Sequence, residues 1–303
     1  MKAIETSPGK VFPPSELVLK PDGSVYHLGL QPDQIADTLL IAGDPARVEK
    51  IASRFDRIDH RVHNREFVTL TGELGGKRLT ALSTGIGTDN IDIVINELDA
   101  LRNINLEKRT VRSERRPLNI IRIGTSGALN ADIDTGSFVL SRYAVGLDGV
   151  MHFYGSEYES DEAELAQSYA AHTGWSIRGL RPYAVRSDAK LNELLNPSGA
   201  FTEGITATAC GFYGPQGRVL RIPAAMPQIN DRMSNFSFRD LPMANYEMES
   251  SALFALGGLL GHACTTVCLI IANRLQNTFL ADYKPRMEVL IDAVLERVTA
   301  GEG

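Results

Sequence analysis

The sequence predicts an α/β fold, in which the strands of a buried sheet alternate with helices. Apolar runs rich in β-branched residues recur along the chain, stretches of helical periodicity separate them, and one run passes directly into a helix start. The runs predict strands at residues 39–42, 79–82, 120–123, 138–140 and 267–272.

The first helix is predicted immediately after the first strand. Asp44 can cap it and Pro45 can occupy its first position, and we expect it to run from Arg47 to about Phe55. A strand therefore leads straight into the amino terminus of a helix.

A second helix is predicted from apolar side chains at helical spacing. Its cap is expected at Thr88, Asp89 or Asn90. The apolar stripe consists of Ile91, Val94, Ile95, Leu98 and Leu101.

Elements continue at short intervals to Val298, and no linker divides them. We therefore predict an N-terminal extension, residues 1–25, followed by a single domain, residues 26–303. Residues 1–24 and residues 106–117 are expected to lie outside the core, and the cations of the second stretch indicate a solvated loop rather than a binding patch.

The composition narrows the class of function. The 303 residues are 43% hydrophobic and 22% charged, as in ordinary globular proteins. A net charge of −6 does not favour a long nucleic-acid groove. No apolar run is long enough to cross a bilayer and the first residues lack a secretory pattern, so we expect a cytoplasmic protein with no membrane partner.

Familiar cofactor motifs are absent from the sequence. Residues 85–90 lack the third glycine of a dinucleotide fingerprint, and residues 72–77 lack the spacing of a phosphate loop. Cys210, Cys264 and Cys268 have neither disulfide nor metal-ligand spacing and are expected to be buried thiols.

Glycines and polar residues meet at the predicted ends of four strands, where ligands of open α/β sheets bind. The four places are Gly43 with Arg47, residues 83–87, residues 122–127, and Asn273 with Arg274. Arg122 interrupts an apolar run, and a buried guanidinium needs an anion or a carboxylate. This pattern supports a structural salt bridge and a ligand role about equally, and Arg47 alone is typical of a helix surface.

Two further clusters carry polar side chains. Glu247 and Glu249 are two apart, so on a helix one can point inward while the other meets solvent or caps a turn, and alone the pair is typical of a helix start. A glycine-rich segment before them is typical of a surface turn. Its Phe212, Gln216 and Arg218 would also suit a flat heterocycle with carbonyls and ring N–H groups.

Seven short motifs follow one another between roughly residues 26 and 298. They are His27-Leu28-Gly29-Leu30, Gly43-Asp44-Pro45-x-Arg47-Val48, Arg65-Glu66-Phe67, Ser83-Thr84-Gly85-Ile86-Gly87, Arg122-Ile123-Gly124-Thr125-Ser126-Gly127, Gln216-x-Arg218 and Tyr246-Glu247-Met248-Glu249. In order and approximate spacing the chain resembles the nucleoside phosphorylase family, and Gln-x-Arg is similar to its uridine branch. The resemblance implies a single-domain, three-layer α/β/α fold around a mixed, partly barrel-like twisted sheet.

The resemblance also implies an activity. A pentosyltransferase of this kind cleaves uridine reversibly with inorganic phosphate, giving uracil and ribose 1-phosphate in pyrimidine salvage. Arginines can replace the water that solvates the phosphate, so no nucleophilic side chain, metal or organic cofactor is required. Alternatives are another nucleoside phosphorylase or a hydrolytic nucleosidase of the same fold, and a nucleoside-binding protein without turnover.

Individual roles follow from the resemblance. The phosphate site would comprise Gly43, Arg47, Arg122 and Thr125, with Arg65 from a neighbouring subunit. The ribose site would comprise Thr125, Met248 and Glu249, with His27 from a neighbouring subunit. The base site would comprise Phe212, Gln216, Arg218 and Arg274. The catalytic residues would be Arg122, Glu249 and Arg218.

Residues that cross an interface imply a homo-oligomer of at least two subunits, and the resemblance suggests a hexamer built from dimers. Some relatives bind a monovalent cation near the positions of Glu66 and Ser83, so the resemblance allows a K⁺ ion at the dimer interface. Purine-specific relatives have a Ser-Asp pair where this chain has Asn273-Arg274, which argues against purine substrates.

Overall fold

The computed structural model describes residues 9–300 and the backbone of residues 2–3. Its α-helices are α1 (Pro45–Ala52), α2 (Thr88–Asn103), α3 (Ser160–Thr173), α4 (Ala189–Leu195), α5 (Ile229–Ser234), α6 (Ser250–Leu259) and α7 (Lys284–Thr299). Its strands are β1 (Lys2–Ala3), β2 (Thr38–Ala42), β3 (Arg57–Asn64), β4 (Phe67–Leu74), β5 (Lys77–Ser83), β6 (Ile104–Asn105), β7 (Thr110–Val111), β8 (Asn119–Ala128), β9 (Phe138–Leu147), β10 (Ser156–Glu157), β11 (Tyr183–Arg186), β12 (Thr202–Ala209), β13 (Ser237–Phe238), β14 (Leu241–Glu247), β15 (Ala263–Asn273) and β16 (Thr278–Phe279).

One mixed sheet of 12 strands organises the chain, in the order β13-β14-β12-β9-β15-β8-β2-β5-β4-β3, with β11 beside β9 and β16 beside β15. The end of β14 also pairs with β8, with Asn245 opposite Ala128 and Tyr246 opposite Gly127. That pairing closes β8, β14, β12, β9 and β15 into a ring, while β2, β5, β4 and β3 stay open. The predicted mixed, partly barrel-like sheet is therefore confirmed.

Helices cover both faces of the open part of the sheet. On β2, Leu39 and Ile41 pack in a core with α2 and α6, whereas Leu40 packs in a second core with α1 and α7. All residues of β2 are buried, because both of its faces are covered, which is why the strand is continuously apolar. The three-layer α/β/α arrangement follows from this alternation.

The predicted start of α1 is correct, and its predicted end is not. The Asp44 carboxylate accepts a hydrogen bond from the Ala46 N–H at 2.9 Å, and Pro45 is the first helical residue. The helix ends at Ala52, because the N–H of Phe55 bonds the Ala52 carbonyl three residues back and tightens the chain into a turn.

The predicted cap of α2 is wrong, although its apolar stripe is buried as expected. The N-cap is Gly87 rather than Thr88, Asp89 or Asn90. Gly87 has φ +101°, a conformation that residues with a Cβ rarely adopt, and its N–H donates to Oε1 of Glu249 at 2.8 Å. The start of α2 is therefore fixed by a distant carboxylate instead of a local side-chain cap.

The stretches expected outside the core differ from the prediction in part. Of residues 106–117, Leu106 packs in the main core, contrary to the prediction. The rest of the stretch is partly or fully exposed, but it includes the short strand β7, which pairs with β6. Leu17, within the predicted non-core stretch, packs in the main core, and its carbonyl accepts from Nη1 of Arg109 at 2.5 Å. Residues 1 and 4–8 lie outside the described residues. Among residues 9–300, no helix is long and apolar enough to cross a membrane.

Candidate active site

A cavity of about 810 Å³ opens beside the strand ring, next to the carboxyl ends of β2, β8, β14 and β15. It brings together ten residues predicted for phosphate, ribose and base sites. These are Gly43, Arg47, Arg122, Thr125, Phe212, Gln216, Arg218, Met248, Glu249 and Arg274. The run from Gly124 to Gly127, expected at a strand end, lies inside β8, because β15 and β14 continue the pairing beyond it.

Arg122 lies on the cavity wall between two buried carboxylates. Its Nη1 is 3.1 Å from Oε2 of Glu247, and its Nη2 forms an ion pair with Glu249. Nη1 also donates to Sγ of Cys268 at 3.4 Å, and Nε has no hydrogen-bond partner in the described part of the chain. The salt-bridge interpretation of Arg122 is therefore correct, and the same side chain also faces the cavity.

The charges of this cluster perturb one another. Burial lowers the pKa of Arg122, and the carboxylates of Glu249 and Glu247 more than offset that, so the pKa lies above its ordinary value. Burial raises the pKa of Glu249, Arg122 counteracts this and Glu247 adds to it. Glu249 therefore binds a proton more readily than an exposed glutamate does.

Arg47 is a second buried cation in the wall, and no described carboxylate lies within 4.0 Å of it. Its side chain projects from the first turn of α1, and its Nη1 donates to the carbonyl of Ile123 at 3.1 Å. Burial, and next the charge of Arg122, lower the pKa of Arg47. The expectation of a helix-surface position is wrong, because the side chain is buried and reaches from α1 to the backbone of β8. Two neighbouring guanidiniums, one without a counter-ion, favour an anion at this end of the cavity.

The two glutamates are not on a helix. Glu247 ends β14 and Glu249 is the N-cap residue of α6. The carboxylate of Glu247 caps α6 by accepting from the backbone N–H groups of Glu249 and Ser250, both at 2.9 Å. One of the predicted alternatives, a turn cap, is thus correct for Glu247, but neither carboxylate meets solvent.

The opposite end of the cavity has planar side chains. The guanidinium of Arg218 stacks on Phe212, 3.7 Å from the ring centroid, and its Nη1 donates to Oε1 of Gln216 at 2.5 Å. The Gln216 side chain is buried, and with its oxygen engaged by Arg218 its amide NH₂ is left as the donor. Burial and the nearby Arg274 lower the pKa of Arg218 to about 10, so Arg218 is cationic at neutral pH. The segment is a turn and also part of the cavity wall.

Arg274 holds the backbone of the segment that carries these planar side chains. Its Nη1 donates to the backbone carbonyl of Gln216 at 2.6 Å. Asn273 is fully buried, and its Nδ2 donates to the carbonyls of Asn130 and Ile133, in the turn after β8, at 2.9 Å each. Its Oδ1 holds the turn after β15 by accepting from the backbone N–H groups two and three residues further on. This position therefore presents no acidic group to the cavity.

A sequence profile of the phosphorylase superfamily matches residues 37–296. The chain belongs to this superfamily. The uridine phosphorylases of Haemophilus influenzae and Escherichia coli are each 30% identical to it, over 83% of this chain and 87% of their own length. The crystal structure of a Trypanosoma brucei nucleoside phosphorylase, described as showing uridine phosphorylase activity, matches with a TM-score of 0.86 at 27% identity, over 94% of this chain and 100% of its own.

Two predicted residues of this phosphorylase-superfamily chain do not line its cavity. His27 and Arg65 lie on either side of Tyr26, with the His27 ring 5.0 Å and the Arg65 guanidinium 5.4 Å from the tyrosine ring. Arg65 is exposed, and Nδ1 of His27 lies 2.7 Å from Oε1 of Glu97. The chain therefore brings these two side chains together at its surface, and their cross-subunit roles stay predictions.

The proposed K⁺ position also stays a prediction. The hydroxyl of Ser83 donates to the backbone carbonyl of Glu66 and accepts from the N–H of Val68, both at 2.7 Å. Glu66 is exposed.

Several residues that line the cavity were not predicted from the sequence. They are Ile271, Ala272, Phe279 and Tyr283, whereas Ile86 belongs to the predicted strand-end stretch 83–87. Tyr283 is the N-cap residue of α7, and the Pro285 that follows is a helix-start signal that could have located it. The cysteine prediction is correct for Cys264 and Cys268 and wrong for Cys210, which is exposed where the chain leaves β12.

Proposed function

We propose that the protein is a uridine phosphorylase, which cleaves uridine with inorganic phosphate to uracil and ribose 1-phosphate in the cytoplasm. The observation that carries the proposal is the shape of one cavity: a buried pair of guanidiniums, Arg47 and Arg122, at one end, and the planar donors Gln216 and Arg218 at the other. The names of the similar proteins agree with it.

The proposed chemistry needs an anion and a nucleoside in one cavity. Phosphate would bind against Arg47, Arg122, Gly43 and Thr125, where the two buried guanidiniums are already held in place. Charge-assisted hydrogen bonds contribute about 1.5 to 3 kcal/mol each. The fixed arginines therefore supply much of the energy needed to strip water from the phosphate.

The sugar and base would occupy the rest of the cavity. Glu249 and the backbone at Met248 would hold the ribose hydroxyls, next to the anion. As the glycosidic bond breaks, the uracil carbonyls gain negative charge, and Arg218 and the Gln216 amide are placed to donate to them. The proposal assigns no step to a metal or an organic cofactor.

The deciding experiment is incubation of the purified protein with uridine in the presence and absence of phosphate. We expect uracil only when phosphate is present, together with an equal amount of ribose 1-phosphate. Uracil formed equally fast without phosphate would indicate a hydrolytic nucleosidase, and uracil binding with no product would indicate a binding protein.

Purine nucleosides test the base specificity. A purine ring leaves more readily when an acid protonates it, and the end of β15 presents the buried amide of Asn273 instead of a carboxylate. We expect inosine and guanosine to be cleaved far more slowly than uridine. Comparable rates would show that the base end of the cavity does not discriminate.

We propose further that the active unit is a homo-oligomer of at least two subunits, with a hexamer built from dimers as its full form, in which His27 and Arg65 complete a neighbour's site. Arg65→Ala and Arg122→Ala subunits are inactive by themselves on this proposal. Mixed and refolded together, they form dimers in which one site has both arginines, so activity should return. No recovery in verified mixed dimers would place Arg65 outside the site.

A further inference from the structure

Glu247 is a buried carboxylate with an unusual number of donors for a residue beside a cation. Besides Arg122, it accepts from the backbone N–H groups of Glu249 and Ser250, from the Ser250 hydroxyl, and from the hydroxyl of Thr208. The last of these is short, 2.6 Å from Oγ1 to Oε1. Donors of this kind stabilise the ionised form of a carboxyl group.

The Thr208 hydroxyl has its orientation fixed. Its oxygen accepts from the backbone N–H of Ser251 at 3.0 Å, in the first turn of α6, so its own proton is directed to Glu247. Thr208 is fully buried on β12 and is not part of the cavity wall. It therefore cannot touch a ligand, and any effect on the site passes through Glu247.

We infer that Thr208 is a positioning residue of the phosphate site, which disperses the charge of Glu247 so that Arg122 keeps attraction to spare for an anion. Arg122 faces two carboxylates and has one positive charge to share among them and the anion. When Thr208 and the backbone N–H groups at the start of α6 donate hydrogen bonds to Glu247, Glu247 neutralises less of the positive charge of Arg122. Without the hydroxyl, Glu247 depends more on Arg122 and the anion binds more weakly.

The groups around Glu247 determine how this effect reaches the anion. Titratable or charged groups face it from every packed element: Arg122 on β8, Cys268 on β15, Glu249 at the start of α6, Arg47 on α1 beyond Arg122, and Asp148 beyond Ser251. Among the described residues, Arg122 is the cation that pairs directly with Glu247, so a change in the hydrogen bonding of Glu247 acts on the anion through Arg122.

Sulfate binding to the intact protein, measured by calorimetry without a nucleoside, tests the inference. We expect Thr208→Val to bind sulfate about tenfold more weakly than the wild type at neutral pH, the loss of roughly one charge-assisted hydrogen bond. Thr208→Ser keeps the hydroxyl and should bind sulfate with wild-type affinity.

A matched control separates this effect from a loss of folding stability. Thr265 is equally buried and donates to the neutral Oδ1 of Asn192 at 2.5 Å, so Thr265→Val loses a comparable hydrogen bond far from the carboxylates. We expect it to lower the melting temperature without changing the affinity for sulfate. Wild-type sulfate affinity in Thr208→Val, or an equal loss of affinity in Thr265→Val, would overturn the inference.

A second variant keeps the inference testable if Thr208→Val does not fold. Glu247→Gln removes the charge that Thr208 disperses and that competes for Arg122, so we expect it to bind sulfate more tightly than the wild type. Unchanged or weaker binding would overturn the inference, as would a Thr208→Val defect of full size in the Glu247→Gln background. The inference rests on the proposed function only for the identity of the anion. If the variants bind sulfate as expected but the protein does not cleave uridine, the proposed function is refuted and the role of Thr208 stands.

Discussion

Replacement of Arg47 by methionine removes a buried charge and keeps a side chain of similar length. In the absence of phosphate, Arg47 bonds the Ile123 carbonyl but has no described carboxylate partner, and it lies close enough to Arg122 to lower its own pKa. Its burial therefore opposes folding, and only an anion in the cavity compensates for it.

The expected magnitudes follow from these contacts. Exchanging a buried ion for an apolar side chain is often neutral or stabilising by about 1 to 4 kcal/mol, and the lost hydrogen bond to Ile123 subtracts about 1.5 to 3 kcal/mol. We therefore expect the two contributions largely to cancel, so that the free energy of unfolding without phosphate changes by no more than about 2 kcal/mol in either direction. Phosphate at 100 times its Kd should stabilise the wild type by about 2.7 kcal/mol, and a variant with a Kd about 100-fold higher by only about 0.4 kcal/mol.

Thermal unfolding with and without phosphate measures both quantities. The wild-type melting temperature should rise with phosphate by about 5 to 10 °C, and that of Arg47→Met by about 1 °C. Arg54→Met is the control, because Arg54 is a partly exposed arginine paired with Glu288 and Asp292, and its loss should leave the phosphate effect intact. If Arg47→Met lost more than about 2 kcal/mol without phosphate and kept the full phosphate effect, Arg47 would be a structural residue and this reasoning would be wrong.

Three further predictions follow from the same structure. Gly124→Ala should lower kcat/KM for phosphate by about 100-fold or more. A Cβ there would lie 2.3 Å from Nη1 of Arg122 and 2.8 Å from Sγ of Cys268, so Arg122 would have to move. Unchanged phosphate kinetics would show that Arg122 is not held at this place. Gln216→Ala should raise KM for uridine and weaken selection against base analogues that lack the hydrogen-bonding groups of uracil, by about tenfold or more in relative kcat/KM. Retained selectivity would show that the base site lies elsewhere. Iodoacetamide should modify Cys210 alone in the native protein and all three cysteines after denaturation, as detected by mass spectrometry. The reason is that Cys264 and Cys268 are buried, and burial raises the pKa of Cys268 to about 11. Early modification of Cys268 would contradict its burial.

The strands and the helix start that could be predicted from the sequence are those set by the types of neighbouring residues in the chain. The apolar runs became β2, β5, β8, β9 and β15 because each is buried on both faces, and Asp44 caps α1 because a carboxylate and a following proline suit a helix start wherever it lies. The failures occur where a distant group takes the local role. Gly87 begins α2 because Glu249, 162 positions away, accepts its N–H.

Residue types and their spacing were enough to predict the α/β class, the family resemblance, and the arginines and planar side chains of the candidate site. The folded chain was needed to show that Arg122 lies between two carboxylates while no described carboxylate pairs with Arg47, that the end of β14 closes the sheet into a ring, and that His27 and Arg65 do not line the cavity of their own chain. The reason is that the pairing of a buried charge depends on which strands lie side by side. That order joins residues more than a hundred positions apart, a distance over which periodicity and spacing carry no signal.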